Sequence, residues 1–215
     1  MKRLLVSLCF TALIAGCAGS STVTVGGRPV SIPTDAAEEH EKLIENIGIY
    51  EDPELQAYID EIGARLVANS SMPNQEFTFT LLDSPDINAF ALPGGLIYIN
   101  RGLLAYLDNE AELAGVIAHE IGHITERHHS RRKTQTITNQ IAAVSAGILT
   151  GSGDLVDAVS MYGAEIISGF GRDMELEADA AGAEFMHKSG YDADALLSVI
   201  GVLKDQERYR KAVAK

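Results

Sequence analysis

Apolar periodicity predicts an α+β domain that is mainly helical, with a small antiparallel sheet packed on one central helix. Three observations carry this expectation. Leu55, Ile59, Ile62 and Leu66 recur at helical spacing, as do Leu113, Val116, Ile117, Ile121 and Ile124. Two short β-rich runs, Phe77-Thr78-Phe79-Thr80-Leu81 and Leu96-Ile97-Tyr98-Ile99, lie between them. The 215 residues are 46% hydrophobic and 22% charged, enough apolar material for one ordinary core.

The N-terminus reads as an address. Lys2 and Arg3 precede an apolar run from Leu4 to Gly16 that is too short to span a bilayer. It ends in Leu13-Ile14-Ala15-Gly16-Cys17, which resembles the lipobox of bacterial lipoproteins. That resemblance implies a signal peptide over residues 1–16 and lipidation of Cys17, and Ala18 after the cysteine implies sorting to the periplasmic face of the outer membrane. Cys9 falls in the removed segment and Cys17 carries lipid, so no intramolecular disulfide is expected. Gly, Ser, Thr, Val and Pro over residues 17–34 predict a flexible tether, leaving 35–215 as the folded domain.

Within the domain a helical pattern runs from Asp35 to Gly48. A second helix is expected from Pro53 to about Asn69, with Asp52 as N-cap and Pro53 at the first helical position. The strand over 77–81 alternates as if one face were buried, and Pro93-Gly94-Gly95 supplies a turn before the run at 96–99. Asn109 followed by Glu112 makes a capping-box-like start to the central helix. Ile141 to Leu149 is apolar but too short to cross a bilayer, and Gly151-Ser152-Gly153-Asp154 breaks it. Helical patterns resume over 154–168 and, after Gly169-Phe170-Gly171, from Arg172 to His187. A net charge of −13 and a pI near 4.8 argue against nucleic acid as a partner.

The central helix contains His119-Glu120-Ile121-Gly122-His123 in an apolar, uncharged setting. Residues four apart on a helix share a face, so both imidazoles can reach one ion, while Glu120 sits about 100° around the axis and can hold a water. A catalytic zinc keeps three protein ligands and one open position. Glu175, in Glu175-Leu176-Glu177-Ala178-Asp179, is the expected third ligand. Asp179 shares its face and is expected to accept the free ring N–H of one histidine, whereas Glu177 points about 200° away. Glu112 is too far along the helix to reach the metal. His128 and His129 fall on other faces and read as surface or packing residues; His40 and His187 have no spacing partner.

Asn88-Ala89-Phe90-Ala91-Leu92-Pro93-Gly94-Gly95, Asn109-Glu110-Ala111-Glu112-Leu113-Ala114 leading into His119-Glu120-x-x-His123, and Glu175 to Asp179 together resemble the HtpX and CAAX prenyl protease type of zinc metallopeptidase (a gluzincin family). Similarity is greatest to its soluble bacterial envelope lipoproteins. The resemblance implies a zincin-like catalytic domain, one Zn²⁺ per subunit on His119, His123 and Glu175, and Glu120 as the catalytic base. Asp179 falls where the family has an orienting group or proton donor. The resemblance further implies that the segment containing Asn88, Ala89, Phe90, Gly94 and Gly95 borders a cleft that binds extended substrate. The expected activity is endopeptidase action on unfolded or misassembled cell-envelope polypeptides; the alternative is a chaperone-like assembly factor that uses the same cleft with little proteolysis.

Overall fold

The computed structural model describes residues 19–25, 27–136, 170–201 and 203. The expected signal peptide, Cys17, the apolar run at 141–149 and the helical pattern at 154–168 lie outside them.

Local sequence signals set the helix starts. Helix α1 spans Thr34–Asn46 and α2 spans Pro53–Ala68. Asp52 caps α2 by accepting a hydrogen bond from the Leu55 N–H at 3.0 Å, and Pro53 stands at a position that has no N–H to satisfy. Helix α4, Glu110–Thr125, begins in the same way: Asn109 Oδ1 accepts from the Glu112 N–H at 3.1 Å. The Glu112 carboxylate turns back to the Asp108 N–H at 2.8 Å and also accepts from the Ser198 hydroxyl, so this buried acid is spent on structure. Between α2 and α4 lie strands β3 (Thr78–Leu82), β4 (Ala89–Leu92) and β5 (Leu96–Asn100) and the short helix α3 (Arg101–Leu104); helix α5 spans Arg172–Lys188.

The sheet is mixed rather than purely antiparallel. Its order is β3-β5-β4, with β4 antiparallel to β5 but β3 parallel to it, pairing Thr78 with Leu96 and Leu82 with Asn100. The reason is the extra strand. After β3 the chain reverses into β4, and the turn at Pro93-Gly94-Gly95 reverses it again, which restores the direction of β3. Gly94 and Gly95 both take positive φ, 96° and 92°, and a Cβ at Gly95 would lie 2.2 Å from the Glu76 carbonyl oxygen.

Residues 20–25 and 28–33 are strands, not a tether. Strands β1 (Ser20–Val25) and β2 (Arg28–Pro33) form an antiparallel hairpin in which Val23, Val25, Val30 and Ile32 are buried with Leu82, Leu96 and Tyr98. Short alternating valines and isoleucine in a Gly/Ser/Thr background form a half-buried ribbon because a sheet face was available to receive them. This explains why every residue of β3 and β5 is buried: one face meets the hairpin, and the other, with Phe79, Leu81, Ile97 and Ile99, packs on α2 and α4. No helix among the described residues is long and apolar enough to cross a membrane.

One buried polar pair joins α1 to the sheet. The Tyr98 hydroxyl lies 2.7 Å from His40 Nδ1, both groups being buried. Burial pushes the His40 pKa below its ordinary 6.5. A histidine held neutral contributes stability above its unfolded pKa and loses it as pH falls through the depressed native value. The urea midpoint is therefore expected to fall below about pH 6.5, with a contribution of at most ~1.4 kcal/mol per pH unit from this residue. His40→Asn, which keeps an acceptor for Tyr98 but does not titrate, is expected to flatten that slope; an unchanged slope would remove His40 from the account.

Candidate metal centre

Two glycines let the site helices touch. A Cβ at Gly122 of α4 would lie 2.8 Å from the carbonyl oxygen of Ala178 in α5, and one at Gly182 of α5 would lie 3.1 Å from the backbone nitrogen of His119. Because the backbones approach this closely, side chains from α5 reach across to both histidines of α4. Gly122→Ala is expected to force the helices apart at a cost of about 1–3 kcal/mol, read from urea unfolding. A change within 0.5 kcal/mol, the range of an ordinary surface substitution, would show that the contact tolerates a methyl group.

Across this junction His119, His123 and Glu175 bring three ligand atoms within 4.8 Å of one another. The two Nε2 atoms are 2.9 Å apart, and the Glu175 carboxylate lies 3.5 Å from His119 Nε2 and 3.9 Å from His123 Nε2. Two imidazoles and one carboxylate converging from rigid helices form a donor set suited to zinc. Asp179 accepts from His119 Nδ1 at 2.9 Å, which leaves the Nε2 of that ring to face the cluster. Asp179 thus stands where spacing along the helix places it.

The electrostatics of the cluster are those of a buried cation site. Burial opposes charge on His119, but the hydrogen bonds its ring donates to the Asp179 and Glu175 carboxylates outweigh it and raise its pKa to about 10. Burial together with the charge of His119 drives His123 down to about 2, so this ring is neutral. The short contact between the two Nε2 atoms needs one proton between them, and His119 supplies it; a divalent cation can take the place of that proton. Burial also lifts Glu120 to about 7, against the pull of His119 and of the Ala91 backbone N–H. A carboxyl poised near neutrality can both take and return a proton.

These groups open onto a cleft of about 820 Å³. Asn88, Ala89 and Phe90 line it together with the two histidines. Gly94 and Gly95 do not: their positive φ values and tight packing make them the hinge of the β4–β5 turn, with Gly94 packed against Ile32. Arg172 stands on the rim, and no salt bridge joins it to a described residue. His128 is fully buried beneath His123, with its Nδ1 2.9 Å from His123 Nδ1 and its Nε2 3.1 Å from the Glu177 carboxylate. Phe170 stacks on His123 at 4.2 Å between ring centroids. Sequence spacing placed Glu177 correctly, away from the metal face. It could not foresee that α4 ends at Thr125 and that the chain folds back to present His128 to Glu177.

The model of peptidase family M48 matches residues 53–212, about three quarters of the chain. The chain belongs to peptidase family M48. The resemblance carried by its three motifs holds at the level of the family. The chain is 38% identical over 172 aligned residues to the β-barrel assembly-enhancing protease of Yersinia pestis and 34% identical over 168 to the protein of that name in Escherichia coli strain K12. Each alignment covers 74% of this chain and 34% of the relative, so the chain spans about a third of the length of these proteins. The mitochondrial metalloendopeptidase OMA1 of Schizosaccharomyces pombe is 32% identical over 139 residues, 64% of this chain and 41% of that protein. The M48 match opens at the first residue of α2, so the β1–β2 hairpin and α1 precede it.

Proposed function

We propose that this M48 chain is a zinc-dependent endopeptidase that hydrolyses unfolded or misassembled polypeptides of the bacterial cell envelope, held by lipid on Cys17 at the periplasmic face of the outer membrane. The observation that carries the reading is the convergence of His119, His123 and Glu175 beside a buried, unligated Glu120 at the floor of an open cleft. Two relatives named β-barrel assembly-enhancing protease support the substrate class.

In this reading one zinc per subunit is held by His119, His123 and Glu175. When bound, zinc lowers the pKa of a coordinated water towards about 7 and polarises the carbonyl to be attacked. Glu120 accepts the proton of the attacking water and returns it to the leaving amine. Its burial keeps bulk water from competing for that proton. Asp179 holds the His119 ring through Nδ1 and fixes which nitrogen faces the cleft. Strand β4 is one of the two edges of its sheet and borders the cleft with Ala89, Phe90 and Ala91. Apart from the Ala91 groups, which bond Glu120 and His129, its outer backbone groups can pair with an extended peptide, which favours unfolded segments over folded surfaces.

The zinc-loaded full chain is expected to cleave unfolded β-casein and an unfolded outer-membrane β-barrel protein, with loss of both activities on chelation and recovery on adding zinc back. Cleavage that persists in the chelator would refute the zinc assignment. Binding of both polypeptides with no cleavage would favour the chaperone-like reading.

A further inference from the structure

We infer that His128 is a positioning residue that, locked by Glu177, selects the metal-binding tautomer of His123. Chain geometry brings it there. Helix α4 ends at Thr125, Arg127 turns the backbone at φ 56°, and helical structure resumes at residue 128. His128 is thereby folded back under the site with no exposed surface, its ring edge-on to His123 at 5.0 Å and 70°.

Proton order in this contact is fixed by its far end. A hydrogen bond between two imidazole nitrogens needs one donor and one acceptor. The Glu177 carboxylate, 3.1 Å from His128 Nε2, can only accept, so that nitrogen carries the proton. In a neutral ring Nδ1 is then bare and accepts from His123 Nδ1–H across 2.9 Å. His123 is left with an unprotonated Nε2, directed at His119 Nε2 and Glu175. The opposite order puts the proton on His123 Nε2 and blocks the ligand position. Arg131, three residues beyond His128, holds Glu177 through both terminal guanidinium nitrogens, the Nη2 contact being 3.3 Å.

The two ligand histidines are therefore oriented differently. His119 meets Asp179 directly, near the cleft. His123, only 3% exposed, lies deeper, and an unpaired carboxylate at that depth would be costly to desolvate. An imidazole placed between them lets a half-exposed carboxylate act on the buried ring. Phe170, stacked on His123 and tilted against His128, keeps both ring planes in register.

This rests on zinc binding by His119, His123 and Glu175, and the experiment separates the two claims. In the ¹⁵N-histidine-labelled, zinc-loaded full chain, NMR is expected to show His128 protonated at Nε2 only and His123 at Nδ1 only; a proton on His128 Nδ1 overturns the inference. Zinc affinity is then measured by competition with a chromophoric chelator. His128→Leu is expected to bind zinc about 10–100-fold more weakly, the range for loss of a group that orients a ligand. His128→Asn, whose carboxamide oxygen restores an acceptor towards His123, is expected to recover most of that loss, which a purely packing role would not produce. Parent-like affinity in His128→Leu, or no recovery in His128→Asn, overturns the relay. Should His128→Leu fail to fold, Glu177→Ala at the partly exposed end gives the same reading: weakened zinc binding supports the relay and unchanged binding sinks it. A parent chain that binds no zinc overturns the metal site and the relay together.

Discussion

Glu120→Gln is expected to lower hydrolysis of unfolded β-casein by about 10²–10⁴-fold, the usual contribution of a general base, while zinc stays bound. The separation follows from where Glu120 sits. It adjoins His119 in sequence yet is not part of the cluster formed by His119, His123 and Glu175, so its removal leaves the donor set intact. It is 8% exposed, and burial raises its pKa to about 7, placing a proton acceptor where solvent is scarce. Glutamine keeps the shape and the hydrogen bonding but cannot take the proton. Initial rates and metal content of the two chains decide the matter. Equal rates would sink the assignment, and loss of zinc along with activity would make Glu120 a structural member of the metal site.

Glu175→Ala is expected to weaken zinc binding by more than the ~10–100-fold that follows loss of an orienting group such as Asp179, because it removes a ligand and leaves only two imidazoles. The fold should survive. The Glu175 side chain is 43% exposed, and the packing of α5 depends instead on buried Met174, Ala178, Phe185 and Met186. Unfolding of the metal-free variant should stay within about 0.5 kcal/mol of the metal-free parent, as for a surface substitution. Chelator competition on Glu175→Ala and Asp179→Ala side by side gives the test. If the Glu175 variant binds zinc as tightly as the parent, or more tightly than the Asp179 variant, the third ligand is another group.

Much of the site was legible because its spacing is set within single helices. His119 and His123 are one turn apart on α4, and Glu175 and Asp179 are one turn apart on α5, so each pair shares a face whatever the rest of the chain does. Helix starts were legible for a similar reason: Asp52 and Asn109 bond to N–H groups three residues on, Leu55 and Glu112. Strand partners were harder to read. The four residues of β4 have no alternating apolar signal, and without that strand β3 and β5 look like an antiparallel pair.

Local sequence set the α+β composition, the caps, the paired histidines with Glu120 between them, and the face that Glu175 shares with Asp179, because each depends on contacts within about four residues. Long-range packing set the parallel pairing of β3 with β5, the burial of strands β1 and β2, the contact of Gly122 with Ala178, and the reach of Glu177 through His128 to His123. Those contacts join residues far apart in the chain. Whether a valine, a glycine or a charged residue meets a partner there depends on how whole elements pack, which no local period records.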